Sequence, residues 1–187
     1  GGDIKLFGGE PLLEPDVVRR AISIAQSSSA IKRIYLSTNG LGLDQPWLRF
    51  IQKNPKVILT LSLDGTPGNH RGLRRSLVDV PDSYDHVISL LPHLVTTPRL
   101  VITQTIAPST AQSALENFEH LLQLGFWRFN FLPGYYLPWR EHQLQHLHHG
   151  FQGISKRIRG LWQEGKRVYV RNLFVHAPTP FFNSGLI

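Results

Sequence analysis

Two glycines and a carboxylate directly follow the first apolar run of the chain. The run Ile4–Phe7 has the composition of a buried strand, and Gly8, Gly9 and Glu10 come immediately after it. Two residues without side chains let a ligand approach the main chain closely, and the carboxylate attracts a positively charged group such as an ammonium. The same residues also suit a plain strand–turn–helix joint, because an acid near a helix start is favoured by the helix dipole.

Small hydrogen-bonding residues also end the later strand-like runs. They are Ser37–Gly40, Ser62, Asp64 and Gly65, Gln104 and Thr105, and Asn130. Amphipathic stretches separate these runs, so the chain alternates between strand and helix, five times over. Such alternation predicts a parallel sheet, covered on both faces or closed into a barrel, that binds ligands at the carboxyl ends of its strands. We therefore expect the residues after the strands to surround one site.

The helix patterns predict which residues face the core. The first helix is expected to begin at Pro15 and to bury Val17, Val18, Ala21, Ile24 and Ala25. One helix is expected to carry Val87, Ile88, Leu91 and Leu94 after a loop rich in Gly, Pro and Arg, and the last strand is expected over Val168–Val175.

The composition is that of an ordinary soluble globular domain. The 187 residues are 41% hydrophobic and 18% charged, and the sequence shows neither a membrane-length apolar run nor a leader, so we expect a cytoplasmic protein. There is no cysteine, which excludes disulfides and any iron–sulfur centre ligated by this sequence alone. The net charge is +7, with most of the excess after Phe126. Solvated helix faces explain this excess better than nucleic-acid binding does, so nucleic acid is not expected as a partner.

Several other chemistries fit the residue types less well. His142 and His146 have the i, i+4 spacing of zinc ligands, but we interpret them as an exposed helix face and predict no metal site. Glu10 and Asp64 could form a glycosidase pair, and the glycine turns could bind phosphate, although Glu10 would repel it. The aromatic cluster Tyr135, Tyr136 and Trp139 is expected to pack over the barrel rim.

Three segments in order carry a family resemblance. FGGEPLL, STNG and LSLDGTPGNHRGLRR resemble motifs of the radical S-adenosylmethionine (SAM) superfamily, and the peptide-modifying branch with a C-terminal SPASM-type extension is the most similar. The resemblance runs from about Ile4 to about Pro133. It implies an α/β fold that is a partial TIM-like (β/α)6 open barrel of mainly parallel strands. The first recognisable strand here corresponds to the second strand of the family, so the first β–α unit is absent.

The resemblance also implies roles for individual residues. Gly8, Gly9 and Glu10 would hold the ammonium group of SAM, and we expect Glu10→Gln to weaken that binding without affecting the fold. His70 and Arg74 match residues that organise the loop after the third strand toward substrate. The remaining expected SAM-binding positions are Thr38 and Ser62 at the carboxylate or ribose, Asn39 and Asp64 nearby, Gln104 at the ribose, and Asn130 or Pro133 at the adenine.

Two features depart from the family pattern. Relatives have a C-x-x-x-C-x-x-C loop whose cysteines ligate a [4Fe–4S] cluster, and that cluster binds SAM and splits it to a 5′-deoxyadenosyl radical. This sequence has no cysteine, so a cluster requires ligands outside it. Relatives also carry an acid at the position of Arg71, so the charge of that loop is reversed here.

These observations give two functional hypotheses. The first is the SAM-binding core of a radical SAM enzyme acting on a peptide or a small molecule, inactive as this chain alone. The alternative is a non-catalytic module that binds SAM or a peptide and has lost the cluster. We expect residues 1–175 to form the truncated β/α domain and 176–187 to lead toward an absent extension. Because the edge at Ile4–Phe7 would be unpaired, we also expect a missing N-terminal segment or another chain to cover it.

Overall fold

Six parallel strands form the sheet of the computed structural model, which describes residues 1–75 and 82–172. Their order in the sheet is their order in the chain, so every carboxyl end lies at the same edge. The sheet is not closed, because β1 and β6 are its two outer strands. The predicted α/β class and open-barrel architecture are therefore confirmed. The strands are β1 (Gly2–Leu6), β2 (Ile31–Thr38), β3 (Val57–Ser62), β4 (Leu100–Ile106), β5 (Arg128–Pro133) and β6 (Tyr169–Val170).

Helices connect successive strands. In the described part of the chain they are α1 (Pro15–Ser27), α2 (Gln45–Lys53), α3 (Pro67–Leu73), α4 (Ser83–Ser89), α5 (Leu91–Leu94), α6 (Ala114–Gln123) and α7 (Glu141–Gln163). Side-chain caps fix several helix starts: Asp44 accepts a hydrogen bond from the N–H of Trp47 at 2.7 Å, and Asp82 accepts from those of Tyr84 and Asp85. Two 3₁₀ helices, Pro11–Leu13 and Ala111–Ser113, precede α1 and α6.

The core lies between the helices and one face of the sheet. Along β3, Val57, Leu59 and Leu61 are fully buried in this core, whereas the alternate residues of the strand are only half-buried. Phe118 of α6 packs edge-on against Phe129 and Phe131 of β5, with ring centroids 5.1 and 5.9 Å apart. We call the other side of the sheet, to which the alternate residues point, the open face.

The buried face of α1 differs from the prediction. Val18, Ile22 and Ala25 are buried, but Val17 and Ile24 are 64% and 65% exposed. The buried line of Val18, Ile22 and Ala25 packs toward the sheet. Val17 and Ile24 lie on another side of the helix and do not.

Two other segments differ from the sequence-based expectation. The single helix expected around Val87–Leu94 is divided at Leu90 into α4 and α5, and the loop after β3 contains the short helix α3. The last strand is shorter than predicted: β6 pairs with β5 over two residues, and a turn follows at Arg171 and Asn172. The rest of the predicted strand, and the domain boundary at 175, lie outside the described residues.

Candidate functional site

The joint after β1 exposes its main chain. Gly8 has a φ of +133°, a conformation that favours glycine, and both Gly8 and Gly9 are exposed. A Cβ atom added to either residue would meet no other atom within 4 Å. The space that a ligand needs in order to approach this backbone is therefore open.

Glu10 connects the end of β1 to the end of β2. One carboxylate oxygen accepts hydrogen bonds from the N–H of Leu12 at 3.1 Å and the hydroxyl of Thr38 at 2.7 Å, and the other accepts from the N–H of Asn39 at 2.7 Å. Glu10 thus caps the 3₁₀ helix while remaining partly exposed beside the two glycines. The interpretation of this joint as a strand–turn–helix connection therefore fits the structure, and the ammonium-binding role of Glu10 stays a prediction.

Thr38 and Asn39 hold Glu10 in place. The hydroxyl of Thr38 donates to Glu10 and accepts from the N–H of Gly40 at 3.0 Å, and the residue is 3% exposed. The side-chain oxygen of Asn39 accepts from the N–H of Leu41 at 2.9 Å. Thr38 is therefore a positioning residue in this structure, because its hydroxyl is buried and already bonded.

Asp64, expected to bind cofactor, is enclosed by its own loop. Its carboxylate accepts hydrogen bonds from the guanidinium of Arg74 at 2.5 and 3.3 Å and from the N–H of Thr105 at 2.8 Å. The side chain has no exposed surface. Asp64 therefore fastens the loop after β3 to the carboxyl end of β4, and its expected contact with SAM stays a prediction.

His70 lies fully buried behind Asp64. Its Nδ1 accepts a hydrogen bond from the backbone N–H of Asp64 at 3.2 Å, so the proton is on Nε2, which donates to the hydroxyl of Ser83 at 2.8 Å. Burial lowers the pKa of His70, which keeps the ring neutral. The Asp–His–Ser order is not a nucleophilic triad, because the imidazole donates to the serine instead of accepting its proton. His70 and Arg74 both organise the loop.

The reversed charge at Arg71 is balanced by residues that the sequence did not indicate. Its Nε lies 2.8 Å from a carboxylate oxygen of Asp82, and its Nη2 lies 2.7 Å from one of Asp85. Both acids belong to the start of α4. Arg71 therefore pairs with its own loop instead of projecting an unbalanced charge.

Gln104, expected at the ribose, lies on the core side of β4. It alternates with Ile102 and Ile106, which are buried in the core, and it has no exposed surface. Neither polar atom of its side chain has a hydrogen-bond partner among the described residues. Gln104 therefore points into the core instead of toward the open face, and its expected contact with the ribose stays a prediction.

The open face carries a different polar row. In the strand register Ser62 pairs with Thr103, and Thr103 pairs with Asn130, so the three residues are neighbours across β3, β4 and β5. Ser62 and Asn130 are half-buried, and the Thr103 hydroxyl is buried without a partner in the described part of the chain. Thr103 is a candidate that the sequence analysis missed, although the register with Asn130 could have identified it. Pro133 ends β5 above this row.

The aromatic cluster is only partly packed. Trp139 lies against the core, and its indole N–H donates to the carbonyl of Gly134 at 2.8 Å. Tyr135 is 68% exposed and Tyr136 is fully exposed, so the expectation that all three residues pack over the rim holds for the tryptophan alone.

The described residues contain neither a cluster of metal ligands nor a membrane-spanning helix. Within residues 1–75 and 82–172, no three His, Cys, Asp or Glu side chains lie together as metal ligands would. Each helix in the same ranges is too short or too polar to span a lipid bilayer.

Solved structures share this architecture. A structure of native anSMEcpe with bound AdoMet and the Kp18Cys peptide aligns with 91% of this chain at 18% identity and a TM-score of 0.74. Streptococcus suis SuiB bound to S-adenosylmethionine aligns with 90% of the chain at 16% identity and a TM-score of 0.65. The chain has the fold of these two proteins, each solved with S-adenosylmethionine bound. This likeness in fold matches the superfamily that the sequence resembles.

The likeness concerns part of each neighbour. The chain spans 50% of the length of the anSMEcpe chain and 37% of that of SuiB. At these identities the comparison establishes the fold, and the activity has to be argued from the residues. No family model matches the chain, and the search of curated proteins finds no match.

Proposed function

We propose that this chain is the SAM-binding core of a radical SAM enzyme that modifies a peptide. The observation that carries the proposal is the joint at Gly8–Glu10. It combines an open main chain with a held carboxylate at the edge where all six parallel strands end. The peptide substrate is inferred from the neighbours, since anSMEcpe was solved with the Kp18Cys peptide and SuiB with the precursor peptide SuiA.

The residues at this edge fit SAM in part. Glu10 and the backbone of Gly8 and Gly9 would hold the positively charged ammonium, because the carboxylate oxygen that accepts from Asn39 alone keeps a further lone pair. Ser62 and Asn130 on the open face would meet the polar groups of the nucleoside. When bound beside a reduced cluster, SAM supplies the radical chemistry, and the protein contributes binding, orientation and exclusion of water.

This chain does not fit a [4Fe–4S] cluster, because it contains no cysteine. The proposal therefore places the cluster ligands outside the chain. Because a cluster of this kind needs a reducing compartment to keep its thiolates free, we propose a cytoplasmic location.

A surface beside β1 supports an additional β–α unit. In the described residues β1 is an outer strand, so one row of its N–H and C=O groups is unpaired. Next to it, Leu13 at the end of the 3₁₀ helix and Val17 and Ile24 of α1 are each more than 60% exposed, and their spacing suits one line on this side of the chain. A strand beside β1 and a helix against this line would cover both features. We propose that a preceding segment or another chain supplies this unit.

Gly9→Val tests the SAM site directly. An added Cβ meets no protein atom within 4 Å, so we expect an unchanged melting temperature but loss of SAM binding by calorimetry, because the valine occupies the ligand's approach. Gly160→Val in α7 is the matched control, since a Cβ there is also unobstructed, and it should bind SAM like the parent chain. Equal affinity of Gly9→Val and the parent would remove the glycines from the site.

The enzyme part of the proposal has its own test. We expect the coding sequence upstream of Gly1 to encode three cysteines at the C-x-x-x-C-x-x-C spacing. A stop codon or a cysteine-free start there would contradict the radical SAM assignment even if SAM binds.

A further inference from the structure

A second cavity lies at the opposite end of the sheet from the proposed SAM site. It has a volume of about 450 Å³ and is lined on the open face by three arginines and three aromatic rings: Arg33, Arg128, Arg171, Tyr35, Trp127 and Tyr169. Arg33 and Tyr35 belong to β2, and Arg128 and Tyr169 are the first residues of β5 and β6. Trp127 directly precedes β5, and Arg171 directly follows β6. Arg128 and Pro133 are five positions apart along β5, which is about 16 Å at the usual rise of a strand. The two sites therefore do not overlap.

Among the described residues, most of the positive charge of this cavity is not neutralised. Arg33 pairs weakly with Asp3, its Nη1 lying 3.9 Å from a carboxylate oxygen, and its side chain also interacts with the Tyr35 hydroxyl, which leaves its charge in place. Within residues 1–75 and 82–172, neither Arg128 nor Arg171 forms an ion pair or a side-chain hydrogen bond. Burial and the nearby Arg99 lower the pKa of Arg128, which is the expected effect of a desolvated cation beside another cation. A bound anion would relieve this repulsion.

Aromatic rings hold the guanidinium groups in place. The guanidinium carbon of Arg128 lies 4.0 Å from the centre of the Trp127 ring, and that of Arg171 lies 5.0 Å from the centre of the Tyr35 ring. A guanidinium that stacks on a ring keeps its N–H edge free, and that edge matches the paired oxygens of a phosphate or a carboxylate. The stacking therefore prepares the arginines to bind before a ligand arrives.

We propose that this cavity binds a small molecule carrying at least two negative charges, such as a phosphate ester or a polycarboxylate. The three guanidinium groups supply the charge and the paired donors. The cavity size falls in the range of about 300–1,000 Å³ that is usual for small-molecule sites. Exposed ring surface, 37% for Trp127 and 46% for Tyr169, remains beside the arginines for a planar part of the ligand.

The test is calorimetric titration of the 187-residue chain with pyrophosphate and with citrate, at low and at physiological ionic strength. We expect one of them to bind, and the one that binds identifies the ligand as phosphoryl or polycarboxylate. Arg128→Gln should weaken binding by about tenfold or more, because it removes a charge-assisted pair of hydrogen bonds. The affinity of Arg128→Lys should lie between that of the parent chain and that of Arg128→Gln, since lysine keeps the charge but lacks the planar guanidinium with its paired donors.

Two further variants make the outcome decisive. Arg159→Gln changes the net charge equally at an exposed site on α7, and it should leave the affinity within about twofold of the parent. Arg171→Gln replaces Arg128→Gln if the latter melts at a lower temperature than the parent. Equal weakening by Arg159→Gln and Arg128→Gln would show general charge attraction and overturn the proposal. Failure of both probes, or binding of single-stranded DNA alone, would overturn it as well.

Discussion

Replacing Glu10 with glutamine removes a negative charge on which three hydrogen bonds converge, while keeping the shape of the side chain. In the structure the two oxygens accept from Leu12, Thr38 and Asn39 at 2.7–3.1 Å. Glutamine has one acceptor oxygen, so its NH₂ group must face one of these donors. Glu10→Gln is therefore expected to destabilise the fold, which revises the sequence-based expectation that it affects binding alone.

The magnitude follows from the number and kind of bonds. A hydrogen bond to a charged group contributes about 1.5–3 kcal/mol, and Glu10→Gln loses one such bond outright and the charge assistance of the others. Because Glu10 and Asn39 are partly exposed, water replaces some of the loss, and we expect a destabilisation of about 1–3 kcal/mol. For a chain of this size that lowers the melting temperature by roughly 3–10 °C.

Thermal unfolding followed by circular dichroism is the assay, with Glu14→Gln as the matched control. Glu14 is exposed and makes no side-chain hydrogen bond to α1, so its neutralisation should change the stability by less than about 0.5 kcal/mol. If Glu10→Gln and Glu14→Gln have the same melting temperature, the three hydrogen bonds do not stabilise the joint and Glu10 is free for a ligand. SAM binding to Glu10→Gln should then be compared with Gly9→Val, which leaves these bonds intact.

Two further predictions concern buried polar groups. Gln104→Leu should raise the stability by about 1 kcal/mol in urea titration, because it removes two polar atoms without partners, and it should leave SAM affinity unchanged; a loss of SAM binding would return Gln104 to the site. Burial lowers the pKa of His70, so the unfolded chain takes up a proton that the native ring does not, and stability should fall as the pH drops below about 6.5. That fall should be smaller in His70→Gln and unchanged in the exposed-site variant His142→Gln; equal pH dependence in all three would contradict the neutral ring.

The strands and their shared edge were predictable because the residues that form them are locally distinct. β-Branched and aromatic runs ending in small polar residues indicated each strand, and β4 matches its predicted range. The direction of each side chain was harder to predict. In Leu100–Ile106 the polar residues Thr103, Gln104 and Thr105 are consecutive, so the alternation of the strand must put at least one of them in the core. Only the helix contacts determine that it is Gln104.

Residue type alone also could not separate ligand-binding groups from the groups that hold them. Thr38 and Asp64 have the hydroxyl and carboxylate that a cofactor site uses, and the structure uses both to join strand ends. An oxygen that accepts a hydrogen bond from the protein and one that accepts from a ligand belong to the same residue types. Only the folded structure shows whether the donor is a protein group or a ligand. The exposed main chain at Gly8 and Gly9 was easier to predict, because a residue without a side chain leaves its backbone open whether it serves a turn or a ligand.

The distribution of charge extends this argument to the whole sheet. The sequence analysis assigned the basic C-terminal third to solvated helix faces, which fits Arg159 on α7 but not Arg128 and Arg171, which line the cavity at the amino-terminal end of the sheet. At the other end, Glu10 faces the open glycines. One parallel sheet thus presents a carboxylate where its strands end and guanidinium groups where they begin. A cation such as the SAM ammonium and a small anion are therefore expected to bind at opposite ends, and loss of one site should leave the other intact. Calorimetry on Gly9→Val with the anionic probes, and on Arg128→Gln with SAM, checks this independence, and a joint loss in either variant would show that the two ends are coupled.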